Sequence, residues 1–290
     1  MSKFADHTKT ARVVDTDVEA SVLQEDLDGL SAWAKTWQMA FNVDKCKVIH
    51  VGRNNAKRDY VMDGKKLIVV EEEKDLGVMV HQSLKPSCQV GKAAKKANQV
   101  LGQLLRAFTY RDKVHFVHLY RTYVRCHLEY AVTTWSPWTE QDRNVLEDVQ
   151  RRAVRQVRGI KGSYEEKLKQ VGLTTLVERR ERGDMLQTYK IIQQVDDIPV
   201  ESLFQLGHAV NNHHHGTRHA VAFVPGELPH NWGEEEPINS LKLAKPEGRL
   251  DLRTNFFSHR VVNPWNNLPL SVKSASSVNN FKNLYDEFKR

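Results

Sequence analysis

Cysteine is scarce and scattered: Cys46, Cys88 and Cys126 are the only three in 290 residues, odd in number and without C-x-x-C spacing. That excludes a disulfide framework and a zinc module built on paired cysteines. A reducing compartment is therefore expected, so the location is read as intracellular, cytoplasmic or nuclear. No apolar run approaches the ~20 residues that a membrane helix needs, and no membrane partner is expected. Met1-Ser2-Lys3-Phe4 leads straight into charged sequence, so no secretory signal is read there. Histidine, by contrast, is crowded at 208, 213, 214, 215, 219 and 230. Consecutive residues cannot all face one ion from a regular element, and the cluster is read as a loop.

Hydrophobic residues make up 40% of the chain and charged residues 27%, a balance that lets this length bury a sizeable core. The net charge of +7 is unevenly spread. Between Lys92 and Lys161 stand 14 Lys or Arg against 6 Asp or Glu, an excess that leaves the remainder near neutral. Such a segment suits a polyanion partner. It also suits a solvated helical surface, because Lys and Arg are good helix formers.

Periodicity orders the elements. Lys3 to Lys9 reads as the tip of a β-hairpin. Thr16-Asp17-Val18-Glu19 is a capping box, and Leu23, Leu27, Leu30, Ala34 and Trp37 form an apolar stripe on a helix ending near Ala40, its buried face widened by Trp33, Met39 and Phe41. A turn over Asn42 to Lys45 leads into a β-branched strand. Tyr60-Val61-Met62 and Leu67-Ile68-Val69-Val70 flank Asp63-Gly64, which tolerate the positive φ of a tight primed turn. Leu76 to Val80 reads as a further strand.

From residue 86 the pattern is helical. Val90, Ala93, Ala94, Ala97, Val100, Leu101, Leu104 and Phe108 hold one face; Lys92, Lys95, Lys96 and Arg106 hold the other. Asp112 can cap a second helix, with Val117, Tyr120, Val124 and Leu128 inward and Arg111, His115, His118 and Arg125 outward. A third opens at Thr139, with Leu146, Val149, Ala153 and Val157 on one side, Arg151, Arg155 and Arg158 on the other, and a stop at Gly159. The corner Trp135-Ser136-Pro137-Trp138 is read as core packing. A further helix runs from Thr175, boxed with Glu178, to about Val195. Residues 207–250 read as an irregular connection, Phe256 to Val262 as a strand, and Ser276 to Phe288 as a terminal helix.

The turn Phe4-Ala5-Asp6-His7, the helix carrying Leu23 to Trp37, Phe41-Asn42-x-x-Lys45 and Lys74-Asp75-Leu76-Gly77-Val78 together resemble the later palm motifs of reverse transcriptases, RNA-directed DNA polymerases. The resemblance is to LINE-type, non-LTR retrotransposons, of the kind represented by the mobile element jockey. Ala93 to Asn98, Leu128-Glu129-Tyr130-Ala131 through Trp138, and Leu146 to Ala153 are similar to the thumb of those transposable-element polymerases. Phe257-Ser258-x-Arg260-Val261 through Trp265-Asn266-x-Leu268-Pro269 to Phe281-Lys282 looks like their C-terminal segment.

The resemblance implies an α+β chain in three parts: the C-terminal part of a palm over 1–82, a basic helical thumb over 83–162, and a downstream region over 163–290. It implies that Asp6 is a metal ligand for Mg²⁺, that Lys45 is a catalytic residue near the leaving pyrophosphate, and that Leu76, Gly77 and Val78 belong to the primer grip. Lys92, Lys95, Lys96, Arg106, Arg111, Arg125, Arg151, Arg155 and Arg158 would contact nucleic acid, an RNA template or RNA–DNA hybrid. The departures are that His7 stands where the family has a second Asp and that the fingers and earlier palm strand are missing. The expected chain is thus a truncated, inactive polymerase that does not functionally bind Mg²⁺ but keeps a basic nucleic-acid-binding surface. A non-enzymatic nucleic-acid-binding protein and a decayed element with no selected function remain alternatives. Residues 86–161 are expected to fold alone, because their three helices carry caps and matching apolar stripes.

Overall fold

A computed structural model describes residues 2–4, 7–52, 55–207 and 242–290. They form helices and short strands, an α+β chain, in two compact units, Met1–Lys92 and Ala93–Arg290. Asp6 and the histidines at 208 to 230 lie outside the described residues.

In the first unit β1 (Ser2–Phe4) pairs antiparallel with β2 (His7–Lys9), Phe4 opposite His7. Helix α1 (Asp17–Thr36) starts as its capping box dictates, with Thr16 Oγ1 accepting from Glu19 N and Glu19 accepting from Thr16 N. The Asp15 amide, with the Thr16 hydroxyl and amide, holds the Glu19 carboxyl below the usual carboxylate range. Leu23, Leu27 and Leu30 pack on Tyr60, Met62 and Leu67. The helix stops four residues short of Ala40, and Gln38 turns to φ +53. The stripe therefore fails at its end: Trp33, Trp37 and Met39 are 40%, 66% and 59% exposed.

After the 3₁₀ turn Val43–Lys45 come β3 (Lys47–Val48), β4 (Val61–Met62), β5 (Lys65–Lys66) and β6 (Ile68–Val69). β4 and β5 form the expected hairpin with positive φ at Asp63 and Gly64, and β6 runs parallel to β3. Gln24 takes the place of a neighbouring strand for Val61, donating to its carbonyl at 2.7 Å and accepting from its amide at 3.0 Å. The acidic run is itself a strand, β7 (Glu72–Asp75), paired with β8 (Val78–His81). Leu76 and Gly77, expected within a strand, are instead the connecting turn, at φ +46 and +90.

Helix α2 (Ser87–Ala107) contains the division between the units. Beyond it, Asp112 caps α3 (His115–Leu119) through the amides of Val114 and His115; a π-helical turn, Tyr120–Val124, and α4 (Arg125–Glu129) continue it. Val117, Tyr120, Val124 and Leu128 are all buried, as the spacing predicts. After α5 (Val132–Trp135), buried Trp135 donates Nε1 to Tyr130 O, which fits a packing corner. The chain goes on through α6 (Glu140–Arg155), α7 (Tyr164–Val171) and α8 (Leu176–Ile192). The pair β9 (Leu206–Gly207) and β10 (Lys242–Leu243) and short α9 (Asp251–Thr254) lead to the closing elements.

The expected strand over Phe256 to Val262 is helical, α10 (Phe257–Arg260) followed by α11 (Val262–Asn266). The apolar positions 257, 261, 262 and 265 have helical spacing, and Trp265 N bonds Val261 O at 2.9 Å. With α12 (Leu270–Lys273) and α13 (Val278–Phe288) they close a core with α8. Tyr189 stacks on Phe281 at 4.4 Å and donates to Ala275 O. Arg260 grips Asp184 with two bonds of 2.8 Å and Thr133 O with a third of 2.7 Å.

A polar hub joins the helices of this unit. Gln150 is fully buried; it accepts from Tyr120 Oη at 2.9 Å and shares its amide hydrogens among Glu147, Tyr164 Oη and Thr174 O. Glu147 also accepts from Tyr164 Oη and Leu176 N. Since a buried donor left unpaired costs about 1–3 kcal/mol, Gln150→Leu in the full chain is expected to lower unfolding free energy by about 2–4 kcal/mol, measured by urea denaturation. The hub also argues against independent folding of residues 86–161, which removes Tyr164, Thr174 and Leu176 from it. That fragment is expected to lack a cooperative thermal transition by circular dichroism; a sharp transition would show that the hub is dispensable.

Candidate nucleic-acid interface

In the first unit His7 is exposed on β2, and Lys45 is exposed at the end of its 3₁₀ turn. Lys9 Nζ reaches Asp75 Oδ2 at 2.6 Å, which brings the β1–β2 hairpin beside the Leu76–Gly77 turn. Among the described residues no group of three or more His, Cys, Asp or Glu is placed to hold a metal ion. His7, which stands where the resembled family has a second carboxylate, is a poor Mg²⁺ ligand: an imidazole brings neither the charge nor the hard oxygen that this ion prefers.

The nine basic residues of the expected interface divide by what holds them. Arg125 is half-buried, 3.6 Å from Glu129, and burial pushes its pKa below the usual arginine value. Glu129 is shared with Arg179. Arg111 donates to Gln156 Oε1 at 2.7 Å and to Phe108 O. Both were expected to face outward and are instead braces inside the unit, because other helices and turns cover the side that a single-helix projection leaves open. Lys92 is exposed but paired with Glu72 at 2.8 Å, which holds its pKa above the usual lysine range.

The remainder face solvent. Lys95, Lys96, Arg106 and Arg155 are exposed and form no ion pair with a described residue. Lys95, Asn98, Gly102 and Arg106 recur at three- and four-residue spacing and so form one row along α2. Arg152 Nη1 donates to Asn98 Oδ1 at 3.2 Å, setting that row beside the basic side of α6. Arg151 pairs with Asp148 at 2.9 Å and lies over the Tyr164 ring, and exposed Arg158 lies over Tyr110. Such an arrangement can contact phosphates without reading bases.

Sequence reasoning missed α7 and with it Tyr164 and Lys167. The signal was present: Ser163 and Glu166 form a capping box, and Gly172 ends the helix at φ +62. No helix of the described residues is long and apolar enough to cross a membrane. Compared with protein-family models, with known proteins and with solved structures, the chain gives no significant match. The division between braces and solvent-facing cations is testable by stability alone. Arg125→Ala is expected to cost about 2 kcal/mol, since it removes one partner of a half-buried pair; Lys95→Ala and Arg155→Ala are expected to stay within about 0.5 kcal/mol of the parent. Equal losses at all three positions in chemical denaturation would refute the division.

Proposed function

We propose that this chain binds duplex or hybrid nucleic acid without sequence preference, through the basic row of α2 and α6, and has no polymerase activity of its own. In this reading it is related to the reverse transcriptases of non-LTR retrotransposons that its motifs resemble. The observation that carries the binding is the set of exposed, carboxylate-free cations Lys95, Lys96, Arg106 and Arg155 on adjoining helices. Absence of catalysis is argued from the turn, where His7 stands in place of a second carboxylate: two-metal phosphoryl transfer needs oxygen ligands on both ions.

If about four side chains reach phosphates, log K falls against log salt with a slope of roughly −4, from counterion release of ~0.9 per contact. Reversal of Lys95, Lys96 and Arg155 to Glu is expected to flatten it by about three units, read by fluorescence anisotropy of a labelled duplex. Lys92 is left in place, because Glu there would face Glu72. Binding absent at low salt, or indifferent to the reversal, would reduce these charges to a solvated surface. Primer extension with Mg²⁺ or Mn²⁺ is expected to be nil, and template-dependent synthesis by the purified chain would overturn the catalytic part of the reading.

A further inference from the structure

The C-terminal half of α6 and the first turn of α7 enclose a cavity of about 250 Å³ lined by Arg151, Val154, Arg155, Tyr164 and Lys167. Its polar lining is cationic apart from one phenol, and that phenol is turned away: Tyr164 Oη is engaged by Glu147 and Gln150 in the hub. One face of the Tyr164 ring is covered by the Arg151 guanidinium, 5.3 Å from its centroid. Among the described residues, the carboxylate paired with these cations is Asp148, on Arg151. Of the amides at the start of α7, those of Ser163 and Glu166 are taken up by the capping box.

With Arg151 paired to Asp148, Arg155 and Lys167 are the two cations here that no described carboxylate engages, and donors without acceptors are what an oxyanion requires. The volume decides the size of the guest. It lies below the ≈ 300–1,000 Å³ of pockets that enclose small molecules, so a phosphate group fits the chemistry better than a whole nucleotide.

We propose that this cleft is a phosphate site in which Arg155 and Lys167 supply the donors, while Arg151, held by Asp148 and the Tyr164 ring, forms its wall. Two sources share that chemistry, a polynucleotide backbone and free phosphate. Only the first rests on the nucleic-acid reading above.

The test uses the full chain, with inorganic pyrophosphate as calorimetric probe at low ionic strength and a labelled duplex in an anisotropy salt series. Arg155→Gln with Lys167→Gln is expected to weaken pyrophosphate at least tenfold and to flatten the duplex salt slope by about 0.9, the value of one phosphate contact. Lys95→Gln with Lys96→Gln is expected to leave pyrophosphate binding unchanged. Pyrophosphate binding lost in the cleft pair, beside a parent that binds no duplex, assigns the site to free phosphate and sinks the nucleic-acid reading alone. A changed duplex slope without pyrophosphate binding assigns it to a polynucleotide backbone. No effect of the cleft pair on either probe, or equal losses from both pairs, overturns the site. Should the cleft pair lower the melting temperature, the single change Arg155→Gln at an exposed side chain carries the same comparison.

Discussion

The second unit depends on a buried amide. Gln150 has no exposed surface, and its side chain is bonded from the π-helical turn, from α6, from α7 and from the residue before the cap of α8. An apolar residue of similar size would accept many rotations of those helices. An amide accepts few, because each misplaced partner leaves a buried polar group unpaired. Glu147, one helical turn earlier, uses both carboxylate oxygens on the same elements. The hub thus converts adjacency of helices into a register, and it joins residues on both sides of 162 into one cooperative piece.

A second fastening acts over a longer stretch of chain. Arg260 joins α10 to Asp184 on α8 and to Thr133 on α5, while Arg182 on α8 holds Asp286 on α13 with bonds of 2.5 and 2.8 Å. Burial raises the Asp184 carboxyl above its usual range despite the guanidinium beside it. The pair therefore specifies where α10 docks more than it adds stability, since desolvation offsets much of the attraction. The stacked aromatics Tyr189, Phe281 and Trp265 supply the apolar burial that closes the same seam.

Local signals in the sequence were legible and long-range ones were not. The boxes at Thr16 and Thr175 and the cap at Asp112 each consist of a side chain and amides within three residues, so sequence alone gives them. The box at Ser163 has the same chemistry but opens a helix of only eight residues, too short to show an apolar period. Phe256 to Val262 is a short apolar run whose helical and extended readings differ only through what packs on it, here α8. Leu76 and Gly77 form a turn because Glu72 pairs with His81 and Glu73 with Val80, which an acidic run does not advertise. Trp37 continues the stripe of α1 on a helical wheel, yet the chain has left the helix there.

The basic segment shows why a local charge excess is a poor map of a binding surface. Arg111, Arg121 and Arg125 contribute three of its positive charges, yet Arg111 donates to Gln156, Arg121 to the carbonyls ending α7, and Arg125 is half-buried as an ion pair 3.6 Å from Glu129. The charge that remains for solvent is a short row. From Lys95 to Arg106 it spans about 16 Å at 1.5 Å per residue, a length over which one strand of duplex presents about five phosphates at 3.4 Å spacing. A row of that reach can meet only a few of them at once, so any binding through it is governed by ionic strength and by the number of phosphates within reach rather than by base sequence.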